Sequence, residues 1–435
     1  MSGAATRTGE TRSASDETQP RTRVAAGPCR FCGTKLERSF VDLGVSPLSN
    51  AFVDPEALRR GEMFYPLHAF VCEGCLLVQL EQFERPENIF SDYAYFSSYS
   101  QSWLDHCRSY VERVSERFGL GEESLVVELA SNDGYLLQYF VERGIPVLGV
   151  EPAANVAEAA LEKGIPTLVR FFGEEFGAEL ATERRPADLI VGNNVLAHVP
   201  GLNDFVRGIK RLLAPRGGVA TLEFPHLLKL IEENQFDTIY HEHFSYFSFL
   251  TVEKVFAEHG LTLFDVEELP THGGSLRIYA RHAEDPTHEV GSRVADLRDR
   301  EVARGFDRIE GYLGFEERVR RIKRELLTFL IDAREAGRSV VGYGAPAKGN
   351  TLLNYCGVRT DLLDYTVDRS PHKQGRYLPG TRIPVHSPER ISETRPDYVL
   401  ILPWNLTDEI VAQQAHIREW GGQFVVPIPT LRIVE

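Results

Sequence analysis

Apolar runs of four to six residues, separated by polar turns, recur along most of this chain, and the helical stretches between them begin only past residue 100. From about residue 27 to 85 the runs are short and strand-like, as in Ser39-Phe-Val-Asp-Leu43 and His68-Ala-Phe-Val71. A helical pattern spans Trp103 to Phe118. From Ser124 strands and helices alternate: strand Leu125 to Leu129, helix Tyr135 to Arg143, strand Pro146 to Glu151, then strands Asp188 to Val191, Gly218 to Glu223 and Ser275 to Tyr279. Continuous apolar strands between helices predict a doubly wound, mostly parallel sheet. A polar stretch, Ala283 to Arg308, reads as a helical connector. A second alternation follows: helix Tyr312 to Ala336, then strands Ser339 to Tyr343, Leu363 to Val367 and Tyr398 to Leu402. The expected class is α/β, divided into a tail (1–26), a small module (27–85), a large α/β domain (86–282) and a second α/β domain (283–435).

Length supports this division, because 435 residues exceed what one hydrophobic core usually serves. The first 26 residues are polar and predict a disordered tail without the apolar core of a signal peptide. No apolar run approaches a membrane span. A net charge of −15 excludes a general nucleic-acid or membrane binder, leaving room for a local anion site.

Four of the six cysteines form two pairs, Cys29-Arg-Phe-Cys32 and Cys72-Glu-Gly-Cys75. Each spacing lets two sulfurs of one turn face one ion, and four thiolates close a tetrahedral zinc shell. A closed shell leaves no position for substrate, so the metal would be a staple for a module too small to hold itself together. Redox pairs or two disulfides are the alternatives. The absence of a leader favours a reducing cytoplasm, and hence zinc.

Glu128-Leu-Ala-Ser-Asn-Asp-Gly134 stands where the first strand of the large domain turns into its helix. Ligands bind at that carboxyl edge of such sheets. Gly134 allows close backbone approach, and Asn132 suits the turn. The GxGxxG dinucleotide pattern is not met, which leaves less room for a pyrophosphate. Glu151, about 20 residues on, holds the position of an acid that grips ribose hydroxyls. S-adenosylmethionine fits such a turn; a structural turn with a surface acid is the alternative.

Thr238-Ile-Tyr-His-Glu-His-Phe-Ser-Tyr246 concentrates Tyr240, His241, Glu242 and His243. Imidazole is matched to proton transfer near neutral pH, and a carboxylate beside it can orient it. A metal site or a solvated loop would use the same residues. His198, in Asn193-Asn194-Val-Leu-Ala-His198, either lines a pocket or caps a helix. In the second α/β unit, Tyr343-Gly-Ala-Pro-Ala-Lys-Gly-Asn350 offers Lys348 and Asn350 after a strand, with Asp368, Lys373 and Arg376 downstream. This pattern suits a phosphate cradle, or a surface turn with solvated charges. Gly273-Gly274 reads as a turn.

The seven segments CxxC…CxxC, YFSSYSxSW, ELASNDG, NNVLAHVP, YHEHFSYFS, THGGSLR and GYGAPAKGN follow one another from Cys29 to the C-terminus. Together they resemble the sugar C-methyltransferases of deoxysugar and antibiotic biosynthesis. The resemblance implies a small zinc domain, a central Rossmann-like S-adenosylmethionine domain and a C-terminal Rossmann-like domain that holds a nucleotide-sugar. It implies methyl transfer to C-3 of a dTDP-linked 4-keto-deoxysugar, with C-5 as the alternative, and a monomer without nucleic-acid or membrane partners. By the same resemblance His243 is the base, with Tyr240, Glu242 and Tyr95 beside it. Glu128, Asn132, Gly134, Glu151 and Asn194 would hold the cofactor. Tyr93, His198, His241, Lys348, Asn350, Asp368, Lys373 and Arg376 would hold the substrate.

Overall fold

The computed structural model describes residues 26–85 and 97–434, and within it three sheets succeed one another along the chain. The tail, apart from Ala26, and both Tyr93 and Tyr95 lie outside the described residues. Ala26 is buried and donates its N–H to the Leu36 carbonyl, so it packs with the N-terminal module.

The N-terminal sheet opens with β1 (Arg38–Ser46), β2 (Tyr65–Val71) and β3 (Val78–Leu80), all antiparallel. One face packs into the C-terminal domain: Phe40 stacks on Phe315 at 4.8 Å, within an apolar cluster that runs from Val41, Leu67 and Ala69 to Leu326 and Leu330. The module therefore shares its core with its neighbours, as its small size requires.

The central sheet holds β4 (Val126–Leu129), β5 (Val147–Val150), β6 (Thr167–Leu168), β7 (Leu189–Asn193) and β8 (Val219–Pro225), parallel throughout. The chain then leaves this sheet. β9 (Ser245–Tyr246) adds to β3 as the fourth strand of the N-terminal sheet, which no local pattern announced. It returns as the antiparallel pair β10 (Leu261–Leu269) and β11 (Ser275–His282), with β11 against β8. The order β10-β11-β8-β7-β4-β5-β6 reverses between β4 and β7, which makes their carboxyl ends the crevice of the fold. Apolar side chains cover both faces, as the continuous apolar strands predicted.

The connector contains the helix Ser292–Ala303, and the long helix Phe315–Glu335 leads into the last sheet. That sheet holds β12 (Val340–Tyr343), β13 (Thr366–Val367), β14 (Val385–His386), β15 (Tyr398–Ile401), β16 (Gln423–Val426) and β17 (Arg432–Val434). Its order β14-β13-β12-β15-β16-β17 reverses between β12 and β15, repeating the central design. Two predicted elements shrink. The helix from Tyr135 covers only Leu137–Val141, because Gly134 holds a left-handed φ of 74° just before it. The strand from Leu363 is reduced to Thr366–Val367, since Leu362 and Leu363 turn back to the Arg359 carbonyl. No helix among the described residues is long and apolar enough to cross a membrane.

Candidate active site

Between β8 and β9 the segment Tyr240–Phe244 lies against the residues that follow the carboxyl end of β7, where the Phe244 N–H donates to the Ala197 carbonyl at 2.7 Å. His243 is buried, and its Nδ1 lies 2.8 Å from the Thr238 carbonyl. A carbonyl only accepts, so Nδ1 carries the proton and Nε2 keeps its lone pair. Burial, with His198 next, lowers the pKa of His243 well below the usual imidazole range. The ring is therefore neutral near pH 7, in the protonation state of a base. Tyr240 covers it at 4.0 Å between ring centres, and His198 meets it edge-on at 4.7 Å.

The neighbours in sequence point elsewhere. His241 donates from Nε2 to the Pro66 carbonyl of β2 at 3.1 Å and is 6% exposed. Expected to hold substrate, His241 through this bond fastens the segment to the N-terminal module. Glu242 is buried, with the Asn50 amide donating to both its oxygens at 2.8 and 3.0 Å. Burial pushes its pKa up to about 7.

Around the same edge Asn194, expected to hold the cofactor, stands among residues to which sequence reasoning gave no role. Asn194 and His272 both adopt left-handed backbone, at φ 52° and 56°, and their side chains meet at 3.2 Å. Asn and His adopt this backbone more readily than most residues, so the two turns can bring their side chains together. Trp103 lies against His272, Tyr135 and His106. Beneath them Glu223 is fully buried, accepting from Arg277 at 2.5 Å and from the Thr271 hydroxyl at 2.7 Å, with His106 Nε2 at 2.9 Å. Against the burial that would raise it, His106 and Arg277 hold its pKa near about 2. Trp103, Thr271, His272 and Arg277 stood inside recognised segments; His106 and Glu223 carried no separate signal.

The turn after β4 places Ala130, Asn132 and Gly134 in left-handed backbone, at φ 57°, 50° and 74°. Glu151 closes this turn, accepting from the Asn132 N–H at 2.9 Å and the Ala153 N–H at 2.8 Å. Asn132 Oδ1 accepts the Ser97 N–H at 3.0 Å. Gly134 packs against Ile165, in the loop between the helix Ala154–Glu162 and β6, where a Cβ would come within 2.3 Å of that side chain. Glu128 is fully buried under the turn, and burial raises its pKa well above the carboxylate range. Burial also raises Glu151. Two buried carboxyl groups, with no guanidinium beside them among the described residues, suit a ligand that carries positive charge and hydroxyl donors, as S-adenosylmethionine does.

The C-terminal edge faces the same space. Lys348 donates to Asn405 Oδ1 at 2.7 Å and lies 4.3 Å above the Trp404 ring, whose Nε1 donates to Asp237 at 2.7 Å. Burial lowers Lys348 to about 8, and the charge it retains lowers His243 and His272. Of the other expected cradle residues, Asp368 accepts from the Ala345 N–H at 2.7 Å and the Ser370 N–H at 2.8 Å, and Lys373 donates to the Ala345 carbonyl at 3.0 Å. Asn350 and Arg376 lie apart from the cradle. Asn350 is buried and donates to the Ser49 carbonyl at 2.6 Å, and Arg376 pairs with Asp54 at 2.9 Å. The local pattern did not disclose which way each side chain turns.

The four cysteines converge. Their sulfurs all lie within 4.8 Å of one another, with Cys29 to Cys75 at 3.6 Å and Cys32 to Cys72 at 3.5 Å. Two ligands at about 2.3 Å from one tetrahedral zinc stand ~3.8 Å apart, so the set fits that ion and no disulfide. Each pair sits on a turn that ends in left-handed backbone, at Gly33 and Leu76.

Comparisons with known proteins give the family. Residues 29–90 match the family described as "Putative zinc binding domain", residues 101–266 a "Methyltransferase domain", and residues 270–429 a "C-methyltransferase C-terminal domain". The chain is 38% identical over 406 residues to C-methyltransferase NovU of Streptomyces niveus, covering 93% of this chain and 96% of that protein. Among solved structures, PH0226 protein from Pyrococcus horikoshii OT3 aligns at TM-score 0.36 and 16% identity, over 46% of this chain and 99% of that one. The magnesium protoporphyrin IX methyltransferase from Synechocystis PCC 6803 with bound SAH aligns at 0.32 and 15%, over 41% and 82%.

Proposed function

This chain belongs to the C-methyltransferase family, and from that premise we propose that it moves a methyl group from S-adenosylmethionine to C-3 of a dTDP-linked 4-keto-deoxysugar. That it is a methyltransferase follows from the family; the donor, the acceptor and the carbon are our reading. The observation that carries it is His243: buried, neutral, protonated on Nδ1 by its bond to Thr238, and so holding a basic Nε2 at the carboxyl edge of the central sheet.

A 4-keto group acidifies the hydrogen on the adjacent carbon, so a positioned base can remove it and leave an enolate. S-adenosylmethionine supplies the methyl on a sulfonium, an electrophile that needs no metal. In this reading His243 Nε2 takes the C-3 proton, and the Thr238 carbonyl stabilises the imidazolium that results. Lys348 contributes positive charge toward the same space, where negative charge develops on the enolate oxygen. Tyr240 walls the imidazole and limits its tilt. Glu128, Asn132, Glu151 and Asn194 would hold the cofactor, and Asp368 and Lys373 would shape the loop that receives the nucleotide. Tyr95 and Tyr93 are proposed to complete the sugar pocket. The four-cysteine site would hold zinc as a staple and take no part in the transfer. The division at 27–85, 86–282 and 283–435, a monomeric state and a cytoplasmic location belong to the same proposal.

The test is incubation of the purified protein with S-adenosylmethionine and a panel of dTDP-4-keto sugars, read by mass and by NMR of the methylated carbon. A methyl on C-3 is expected. A methyl on C-5 would overturn the regiochemistry, and no methylation of any 4-keto sugar would overturn the reading.

A further inference from the structure

The active-site segment is held largely from outside its own domain. Three of its residues are fastened by the N-terminal module: His241 to the Pro66 carbonyl at 3.1 Å, Glu242 to the Asn50 amide at 2.8 and 3.0 Å, and Phe244 through its carbonyl to the Leu80 N–H at 3.1 Å. The first and last of these are main-chain acceptor and donor of β2 and of β3, present in any sequence that forms those strands. The Asn50 contact is different, because it depends on one side chain.

Asn50 sits in a turn after β1 that is itself clamped. Asn350, from the helix Ala347–Cys356, donates to the Ser49 carbonyl at 2.6 Å. Val53 and Tyr377 exchange backbone hydrogen bonds at 2.9 Å in both directions. The turn therefore joins the N-terminal sheet, the C-terminal domain and the active-site segment at one point. Glu242 is 3% exposed, and among the described residues the side chain recorded as donating to it is Asn50. A buried carboxyl group left without such a donor keeps its desolvation cost unrelieved, so the segment would rearrange to find water or another partner. Residue 243 follows directly, and its N–H bond to the Tyr240 carbonyl at 2.8 Å spans Glu242. Any rearrangement of Glu242 thus re-aims the imidazole.

We propose that Asn50 is a positioning residue of the active site: by donating to both oxygens of Glu242 it fixes the Tyr240–Phe244 turn and, through it, the direction of His243 Nε2. This rests on His243 being the proton acceptor. It also recasts Glu242 as an anchor of the base rather than a group that meets substrate.

The test uses the full-length, zinc-loaded protein. Asn50→Ala is expected to lower kcat by about 10–100-fold, with KM and affinity for S-adenosylhomocysteine within about twofold. The paired exchange Asn50→Asp with Glu242→Gln keeps one amide facing one carboxylate, and is expected to recover about tenfold or more over either single change. Loss of a catalytic carboxylate at Glu242 would not be recovered that way, and that result would overturn the proposal, as would Asn50→Ala with unchanged kcat. Should Asn50→Ala lose zinc or fold poorly, the paired exchange decides alone. Amide exchange of residues 240–247 rises in Asn50→Ala whichever sugar is the acceptor. A failure of the anchor and a failure of the functional reading are therefore seen separately.

Discussion

The two carboxyl edges of this protein use the same device for different chemistry. In the central sheet an acid at the end of β5, Glu151, accepts from the turn after β4 and from the N–H two residues on. In the C-terminal sheet an acid after β13, Asp368, accepts from the turn after β12 and from the N–H two residues on. Both acids thus close the first turn of a doubly wound sheet, each at the point where strand order reverses. What differs is the charge placed above the turn. The central edge gathers neutral imidazoles and buried carboxyl groups, whereas the C-terminal edge presents Lys348 and Lys373. The lesson is that turn architecture is shared and ligand preference is written in the side chains that surround it. In the function proposed, one edge takes the cationic cofactor and the other the anionic nucleotide.

The sharpest way to break this contrast is to remove the imidazole on which the central edge depends. His243→Asn is expected to lower turnover by about 10²–10⁴-fold while leaving S-adenosylhomocysteine affinity within about twofold, measured by steady-state kinetics and calorimetry. Activity within tenfold of wild type would mean that the base is another group.

The two acids give a smaller and crossed effect. Glu151→Gln should weaken S-adenosylhomocysteine by about 5–30-fold, because one accepted N–H faces an amide that can no longer serve both turns as an anion. Asp368→Asn should leave that affinity alone and weaken the nucleotide-sugar instead. If both changes affected the same ligand, the division of labour between the edges would be wrong.

The smallest expected effect is in pH dependence. A buried histidine whose pKa is lowered takes its proton later in the folded protein than in the unfolded chain, so stability is full above about 6.5 and declines as pH falls below it. The acid limb of kcat/KM should fall on that same side. Glu242 has the opposite sign: raised to about 7, its contribution is full below the ordinary carboxylate range and is lost as pH rises through about 7. A stability profile in His243→Asn that keeps the whole acid decline would exclude His243 as its source.

Much of this fold was legible because it rests on local pattern. The strands beginning at Leu125, Asp188 and Ser339 are apolar runs that only a sheet covered on both faces accommodates, and they appear within a residue or two of their expected starts. The four cysteines were legible because ligand type and spacing together define a tetrahedral site, and their sulfurs do converge. The directions of His241 and Asn350 were not legible, for one reason. Both occupy segments rich in functional groups, but the direction of each side chain is set by a partner about 175 and 301 residues away in sequence, Pro66 and Ser49. Glu223 and His106 went unassigned because a strand-end acid and a helix histidine look ordinary until Arg277 is placed between them.

By itself, then, the sequence determined the α/β class, the zinc-type cysteine set and the histidine-rich segment that carries His243, since each depends on residue types at short spacing. Tertiary structure alone decided that β9 leaves its domain to complete the N-terminal sheet, and that Asn50 meets Glu242. It also decided which nitrogen of His243 is basic. These are contacts between residues tens to hundreds of positions apart, and only the packing of three sheets around one crevice brings them within hydrogen-bond reach.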